Sequence, residues 1–436
     1  VLRCTPKGKI KPYIDGRGRQ LSVNKYKHLD LVENHIESFN PTISHYRREH
    51  APNVRYLPSD VTINFMHQNF LEKYPEPDFF ISYAYYRDQV KKKNISFTQL
   101  GHEECEVCES LKIHEHSKDQ MVPDCTVCAT YLTHIKKANA ARSLYQEHAK
   151  NNYNDEKSIY FSVDLQKIIM LPRLDTFKKV LFIKRIVAYH ESFVPLGKKG
   201  NLQPFACVWH EGISGRKKED LISTFFNFFS HHRDANTITI WLDNCSSQNK
   251  NWCLLSFLVY IINSDQISAN EIVLNFFEAG HTFMSADSFH HQVEQSLKHQ
   301  KKTYDFEDFV KAVGAANKSR VDLKIMNYFD FYLWIDYKSQ QKISKSTNRV
   351  LLKDVVSIKA VRDKFILYTK CNFEEEYSEL DFLKKNVMKM SGMARPEPLK
   401  GPCGIPVEKK NDILNNLKQV IPQNRKQFWE NIPVHS

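Results

Sequence analysis

The sequence predicts a multidomain protein whose central domain has an α/β fold with a mixed sheet. Apolar runs typical of strands alternate with amphipathic helical patterns between residues 155 and 320. The length of 436 residues exceeds one ordinary domain and leaves room for about two to four units. Two closely spaced cysteine pairs precede the central domain and predict a separate metal-binding module.

The composition is that of a globular protein with a basic surface. Lys and Arg number 62 against 50 Asp and Glu, which gives a formal net charge of +12. This surplus suits DNA or RNA as a partner, with a solvated basic surface as the alternative. The longest apolar runs, such as residues 254–262, fall far short of the ~20 residues that a bilayer requires. No signal peptide is recognisable. Ten cysteines without a secretory signal indicate reduced thiols or metal ligands.

The N-terminal part divides into a basic tail, residues 1–28, and a helical region, residues 29–100. In the latter, Ser59 and Asp60 are candidate caps for a helix with an apolar face, and Pro75 ends that helix. Short helices with Lys and Arg on their outer faces would suit DNA contact. An ordinary helical packing layer is the alternative.

Residues 101–150 carry the sharpest local signal. Cys105, Cys108, Cys125 and Cys128 form two C-x2-C pairs separated by sixteen residues, a spacing typical of structural zinc sites. Four thiolates suit tetrahedral Zn²⁺, and such a site supplies folding free energy to a module with little core. A histidine could replace one cysteine, and the candidates are His102, His114, His116, His134 and His148.

The catalytic candidate is the central domain, residues 155–320. Its pattern predicts three antiparallel strands, a helix, a parallel strand, a helix, a further strand and a final polar helix. In order, these segments are residues 159–165, 179–190, 204–209, 216–232, 238–243, 252–263, 271–277 and the segment that carries Asp287. This order is that of the RNase H-like fold.

Three acids stand at matching points of that order. Asp164 ends the first strand, Asp243 ends the fourth, and Asp287 opens the helix after the fifth. Carboxylates so placed would hold two Mg²⁺ (or Mn²⁺) ions roughly 3.5–4 Å apart, where the ions assist phosphodiester displacement. The alternatives are an ordinary Asp-Asn turn at Asp243 and a capped surface helix with solvated acids at Asp287.

The last helix offers more than one candidate. Asp287, His290 and Glu294 stand at i, i+3 and i+7 and share one face. Either acid could be the third metal ligand, and the first-turn position favours Asp287. His290 could orient water, bind phosphate or serve as a ligand. Beyond this helix we expect an α+β C-terminal part, with a β-rich region at residues 321–395 and a linker and helix at residues 396–436. Within the β-rich region, residues 321–333 and 337–343 are expected as strands, and the charged segment 378–389 as a helix.

Several motifs resemble those of one family. The run from Asp243 to Asn251, the Gly280-His281-Thr282 turn and the Asp287-Ser288-Phe289-His290 segment resemble the signature of a transposase-like domain widespread in animal genomes. That domain belongs to the DDE superfamily of RNase H-like transposases. The resemblance implies metal-dependent DNA strand cleavage and strand transfer, with Asp164, Asp243 and either Asp287 or Glu294 as magnesium ligands.

These observations lead to one functional expectation and two rivals. We expect a DNA transposase, or a host protein derived from one, that acts in the nucleus on transposon ends and target DNA. Two ends must be joined, so a homodimer or higher oligomer is expected, with no membrane partner. The rivals are a domesticated, catalytically inactive zinc-containing DNA-binding protein and an RNase H-like nuclease acting on RNA or hybrids.

Overall fold

A computed structural model gives the fold. The residues it describes are 28–39, 41–43, 55–57, 61–97, 105–116, 121–122, 124–151, 157–174, 177–197, 202–245, 248–334, 350–384, 395–417 and 419–435. The chain divides into two compact units, residues 1–103 and residues 104–436. Within the described residues, every helix is too short or too polar to cross a membrane.

The first unit is a small helical body with a short sheet. Its elements are α1 (Leu29–Glu37), β1 (Thr42–Ile43), β2 (Arg55–Leu57), α2 (Ile63–Lys73), α3 (Tyr83–Lys92) and β3 (Ile95–Phe97). Thr62, rather than the expected Ser59 or Asp60, caps α2 by accepting from the Phe65 N–H, while residues 58–60 lie outside the described part. The three helices bury an apolar core that includes Val32, Phe70 and Tyr86.

The second unit is built on one large mixed sheet. Its strands are β4 (Ser158–Leu165), β5 (Ile169–Leu171), β6 (Arg173–Leu174), β7 (Ile186–Pro195), β8 (Phe205–His210), β9 (Thr237–Leu242), β10 (Glu271–Phe276), β11 (Lys302–Thr303), β12 (Asp322–Ile325), β13 (Ser357–Val361), β14 (Leu367–Lys370), β15 (Ser378–Leu380), β16 (Ile405–Pro406) and β17 (Val434–His435). The main sheet runs β12-β8-β7-β4-β9-β10-β13-β14-β15, with β5 added to β7.

Parallel and antiparallel pairing meet at β4. This strand pairs antiparallel with β7 and parallel with β9, and β9 pairs parallel with β10. β7 and β8 pair antiparallel. The expectation of an α/β fold with a mixed sheet is therefore confirmed.

Helices cover both faces of this sheet. The helices of this unit are α4 (Glu106–Lys112), α5 (Thr126–Asn151), α6 (Lys218–His231), α7 (Trp252–Asn263), α8 (Ser285–Gln300), α9 (Phe306–Ser319), α10 (Val407–Leu417) and α11 (Gln423–Asn431), and all but α4 pack on the sheet. One core contains side chains of α6 and α7, and the other contains side chains of α5, α8, α9, α10 and α11. The sheet is thus the middle of three layers.

Alternation along β4 decides which side chains reach the site. Ile159, Phe161 and Val163 are buried in the core formed with α6 and α7. Successive strand residues point to opposite faces, so Ser162 and Asp164 point toward α8. The Ser162 hydroxyl accepts a hydrogen bond from the N–H of Ala286 in α8, which agrees with this direction.

Several predicted boundaries were wrong. The strand expected at residues 179–190 begins only at Ile186, because Lys178–Phe182 forms a 3-10 helix. The strand expected at residues 321–333 ends at Ile325 and is followed by a 3-10 turn, Tyr328–Asp330. The helix expected from residue 378 starts instead as β15, which forms cross-strand bonds with β14. The strand expected at residues 337–343 lies outside the described residues.

A partly buried histidine, His148, predicts acid sensitivity of this fold. His148 accepts a hydrogen bond at Nδ1 from the Trp241 indole N–H at 3.0 Å, and burial lowers the pKa of His148 to about 4. Protonation then favours the unfolded chain, so stability falls as the pH drops below about 6.5. We expect His148 to contribute about 2 kcal/mol of lost stability between pH 7 and pH 5.

Urea unfolding of the wild type and of His148→Asn at pH 7 and pH 5 measures this loss of stability. The Asn amide oxygen can still accept from Trp241, but the side chain does not titrate. The variant should lose clearly less stability than the wild type over that interval. An equal loss in both proteins would contradict the role of His148.

Candidate functional site

Two of the three predicted acids lie side by side at one edge of the sheet. In the β4–β9 pairing, Ser162 stands opposite Trp241. Asp164 and Asp243 each come two residues later, so both lie at the same level, where the two parallel strands end. Asp287 lies in the first turn of α8, the helix that follows β10.

His290 connects α8 to the end of β4. Its Nδ1 lies 3.4 Å from Asp164 Oδ2, and its Nε2 lies 2.7 Å from the Ser192 hydroxyl. Ser192 stands directly opposite Asp164 on β7. The ring therefore contacts the Asp164 carboxylate with one nitrogen and forms a hydrogen bond to the Ser192 hydroxyl with the other.

Asp287 shows the strongest electrostatic effect among the predicted acids. Burial, followed by the negative charge of Asp164, raises the pKa of Asp287 to about 6. The Met284 N–H donates to Asp287 Oδ2 at 2.7 Å and partly offsets this rise. When a neighbouring carboxylate raises the pKa of a carboxyl group, a bound cation would stabilise the anionic form of that group.

The Asp243 carboxylate is held by its own loop. Its Oδ1 accepts from the Cys245 N–H at 3.2 Å and from the side-chain amide of Asn249. The turn reading of the Asp-Asn pair is therefore correct as local structure. It does not remove the carboxylate from the sheet edge, because the turn begins where β9 ends.

The Glu294 side chain forms an ion pair with Arg173 instead of contacting Asp164. Its Oε2 accepts from the Arg173 guanidinium at 3.2 Å, and its side chain is about one-third exposed. It shares a helix face with Asp287 and His290, but this ion pair ties it to β6 rather than to Asp164. Of the two acids on α8, Asp287 is the one whose charge interacts with Asp164.

The three predicted acids do not form one tight ligand set. Among the described residues, the groups of Asp, Glu, His and Cys whose ligand atoms all lie within 4.8 Å of one another are two Cys/His clusters. Asp164, Asp243 and Asp287 do not form such a group.

Sequence reasoning missed one acid at this edge. Glu191 on β7 stands opposite Leu165 of β4 and Cys207 of β8, and it is 3% exposed. Burial first, and then the charges of Asp164 and Asp243, hold the pKa of Glu191 well above its usual range. Its Oε2 has no hydrogen-bond partner among the described residues. The available signal was an acid in the middle of a strand that has apolar residues at both ends.

The single four-cysteine site was a wrong expectation. The two C-x2-C pairs belong to two separate clusters, each completed by two histidines. The first cluster is Cys105, Cys108, His134 and His281, and the second is His114, His116, Cys125 and Cys128. The physical reason is that each pair stands at the start of its own helix, α4 or α5, so the two pairs do not converge.

The first cluster joins distant parts of the second unit. Cys105 Sγ lies 3.0 Å from His134 Nε2, and Cys108 Sγ lies 3.5 Å from His281 Nε2. The other ring nitrogen of His134 lies 3.0 Å from Glu278 Oε1. A carboxylate behind a histidine fixes the ring so that its free nitrogen faces the metal.

The second cluster is local in sequence. His114 Nε2 lies 3.0 Å from Cys125 Sγ and 3.1 Å from His116 Nδ1, and Cys128 Sγ lies 3.6 Å from His116 Nδ1. The Cys128 N–H first, together with the His116 and His114 side chains, lowers the pKa of the Cys125 thiol to about 6. This favours the thiolate, which is the form that binds metals.

Both clusters fit a four-coordinate ion. Tetrahedral bonds of roughly 2.0 Å to nitrogen and 2.3 Å to sulfur place neighbouring ligand atoms about 3.3–3.8 Å apart. The separations of 3.0–3.6 Å are close to that range. Each cluster could therefore hold one metal ion. Of the other histidines considered, His148 is bonded to Trp241 and His102 lies outside the described residues.

Gly280 is required by the first cluster. Its φ is +76°, and a Cβ at this position would lie 2.8 Å from the Cys105 Cβ and 3.2 Å from the Cys105 Sγ. Both the backbone conformation and the space exclude a side chain. This glycine lets the turn that carries His281 approach the cysteine ligand.

Comparison with known proteins finds one segment that matches a family. Residues 219–361 match DUF7869, described as a domain of unknown function. The segment runs from α6 to β13 and contains Asp243, His281 and Asp287, but not Asp164 or the cysteine ligands. No curated protein matches the chain. No solved structure matches it either.

Two clusters predict two metal ions. Purified protein analysed by elemental mass spectrometry should contain two ions of a thiol-binding metal per chain. Cys128→Ser, which removes a ligand of the second cluster alone, should reduce this to one. One ion in the wild type would contradict the assignment of a metal ion to each cluster.

Gly280→Ala should weaken the first cluster. The positive φ alone costs about 1–2 kcal/mol, and the contact with Cys105 adds to this. We expect lower thermal stability and loss of one metal ion. Gly314→Ala is the control, because its Cβ would meet only Leu323 Cδ2, at 3.9 Å, and alanine favours helix α9. Equal behaviour of the two variants would contradict the role of Gly280.

Proposed function

We propose that the chain is a DNA transposase, or a protein derived from one, that catalyses metal-dependent DNA strand cleavage and strand transfer. The proposal rests mainly on the position of Asp164 and Asp243 at the ends of adjacent parallel strands. Asp287 lies on a following helix, where the charge of Asp164 helps to raise its pKa. We also propose that Asp287, rather than Glu294, is the third acid.

The sheet order supports an RNase H-like core. Counted along the chain, β4, β7, β8, β9 and β10 are the first five long strands of the central domain. Across the sheet they stand in the order third, second, first, fourth, fifth, and only the second is antiparallel to the first. This is the strand order expected of an RNase H-like core, with β12 and β13 as additions at either side.

The acids suit Mg²⁺ or Mn²⁺. Carboxylate oxygens are the ligands that these hard ions prefer, and the raised pKa of Asp287 reflects a local excess of negative charge. Asp164, Asp243 and Asp287 would hold the ions. Magnesium in such sites stabilises the attacking and leaving oxygens of an in-line displacement.

The remaining groups orient the acids. His290, held by Ser192, directs Nδ1 to Asp164 Oδ2 and so limits rotation of that carboxylate. Asn249 and the Cys245 N–H hold Asp243. The Met284 N–H holds Asp287. Groups held before binding lose less entropy when the reacting phosphate arrives.

The other parts of the proposal follow from composition and the Cys/His clusters. Thiolate and imidazole ligands in tetrahedral sets favour Zn²⁺, so we assign zinc to both clusters. The net charge of +12 suits DNA as the partner and the nucleus as the place of action. Joining two DNA ends requires at least a dimer.

One observation favours a catalytically inactive DNA-binding protein as the second candidate. The three carboxylates do not form a ligand group within 4.8 Å, and Asp164 contacts His290. A former catalytic site without bound metal would have these features.

Nicking of supercoiled DNA distinguishes the two candidates. With Mn²⁺, the wild type should convert plasmid to the open circle. Loss of a metal-binding carboxylate removes several kcal/mol of transition-state stabilisation, so Asp243→Asn and Asp287→Asn should fall more than about 100-fold. Glu294→Gln should fall less than about tenfold. A wild type no faster than Asp243→Asn would support the inactive binder.

A further inference from the structure

The first Cys/His cluster takes its ligands from two parts of the second unit. Cys105 and Cys108 stand at the start of α4, and His134 lies in α5. The fourth residue, His281, belongs to the turn between β10 and α8, 173 positions after Cys108. An ion held by all four would therefore tie this turn to the α4–α5 segment.

Helix α5 also holds the same turn directly. The Arg142 guanidinium donates to the His281 carbonyl at 3.2 Å and to the Phe283 carbonyl at 2.6 Å. It also lies 4.6 Å from the centre of the Phe277 ring, at the end of β10. The turn is thus fixed at both ends, by Phe277 and by Phe283.

The next turn of α5, together with β4, also fixes the start of α8. The Tyr145 hydroxyl accepts from the Ser285 N–H at 2.9 Å, and Ser162 of β4 accepts from the Ala286 N–H at 3.0 Å. His134, Arg142 and Tyr145 are spaced by multiples of three and four residues, so they share one face of α5. One helix face therefore joins the cluster, the turn and the first turn of α8.

Asp287 follows immediately. It lies only six positions after His281, and His290 is one helical turn further on. Both act on Asp164, Asp287 by repulsion and His290 by a contact of 3.4 Å. A shift at the start of α8 would move both groups relative to the sheet.

We propose that the metal ion of the first cluster is a clamp that sets the position of Asp287 and His290 against Asp164. Its loss leaves α8 folded but displaces the start of the helix and weakens divalent cation binding at the three acids. This rests on the proposed function for the part that concerns those acids. The clamp itself rests on His281, Arg142 and Tyr145.

The clamp differs from a general folding metal because α8 has its own core contacts. Ala286, Phe289, Val293 and Leu297 are buried between the sheet and its neighbours. These contacts keep the helix in place along most of its length, so metal loss should act locally on residues 281–290. The second cluster has no such link, because its ligands all lie between His114 and Cys128.

Matched serine variants separate the two clusters. Cys108→Ser removes one ligand from the first cluster and Cys128→Ser removes one from the second, each with a near-isosteric change. Three quantities are measured for the wild type and both variants. They are the metal content, the amide hydrogen exchange of residues 281–290, and the affinity for Mn²⁺ by electron paramagnetic resonance.

We expect each variant to lose one ion. Cys108→Ser should exchange at least about tenfold faster across residues 281–290 and bind Mn²⁺ about tenfold more weakly, because misplaced ligand groups typically cost 10- to 100-fold in metal affinity. Cys128→Ser should match the wild type in both respects within about threefold. Equal exchange in the two variants would overturn the clamp.

A further variant tests the clamp if Cys108→Ser does not fold. Glu278→Ala keeps all four ligands but removes the carboxylate behind His134, so the first cluster should bind its ion more weakly. Added Zn²⁺ should then restore slow exchange at residues 281–290, and exchange that ignores zinc would overturn the clamp. If the wild type binds no Mn²⁺, the proposed function fails, while the exchange data still decide the clamp.

Discussion

The pairing of β4 with β7 on one side and β9 on the other is the constraint on which the site depends. Parallel pairing with β9 brings Asp164 and Asp243 to the same level at one edge of the sheet. Antiparallel pairing with β7 puts Ser192 opposite Asp164, where it meets His290. A shift of one residue in either register would turn Asp164 toward the core formed with α6 and α7.

The electrostatics of this edge are unbalanced without a cation. Burial and Asp164 both raise the pKa of Asp287, and burial with two neighbouring acids raises that of Glu191 further. Such groups oppose stability unless an opposite charge is supplied, and they are typical of functional sites.

Periodicity predicted the elements that pack against the sheet but not the metal chemistry. The apolar patterns of α6 and α7 and of strands β4, β8, β9 and β10 are strong because these elements are buried on the faces of the sheet. Short elements such as β15 are stabilised by cross-strand bonds to a neighbour, and no local pattern encodes them. The C-x2-C spacing pointed to cysteines that lie in clusters able to hold a metal ion. Which thiols share an ion depends on helix packing.

The sequence by itself determined the order of strands and helices, the placement of Asp164 and Asp243 at strand ends, and the presence of thiol ligands, because each follows from local pattern and spacing. Only the tertiary structure decided that His281 completes a cluster with Cys105, and that Asp287 rather than Glu294 interacts with Asp164. These choices depend on contacts between residues more than a hundred positions apart, which no short stretch of sequence specifies.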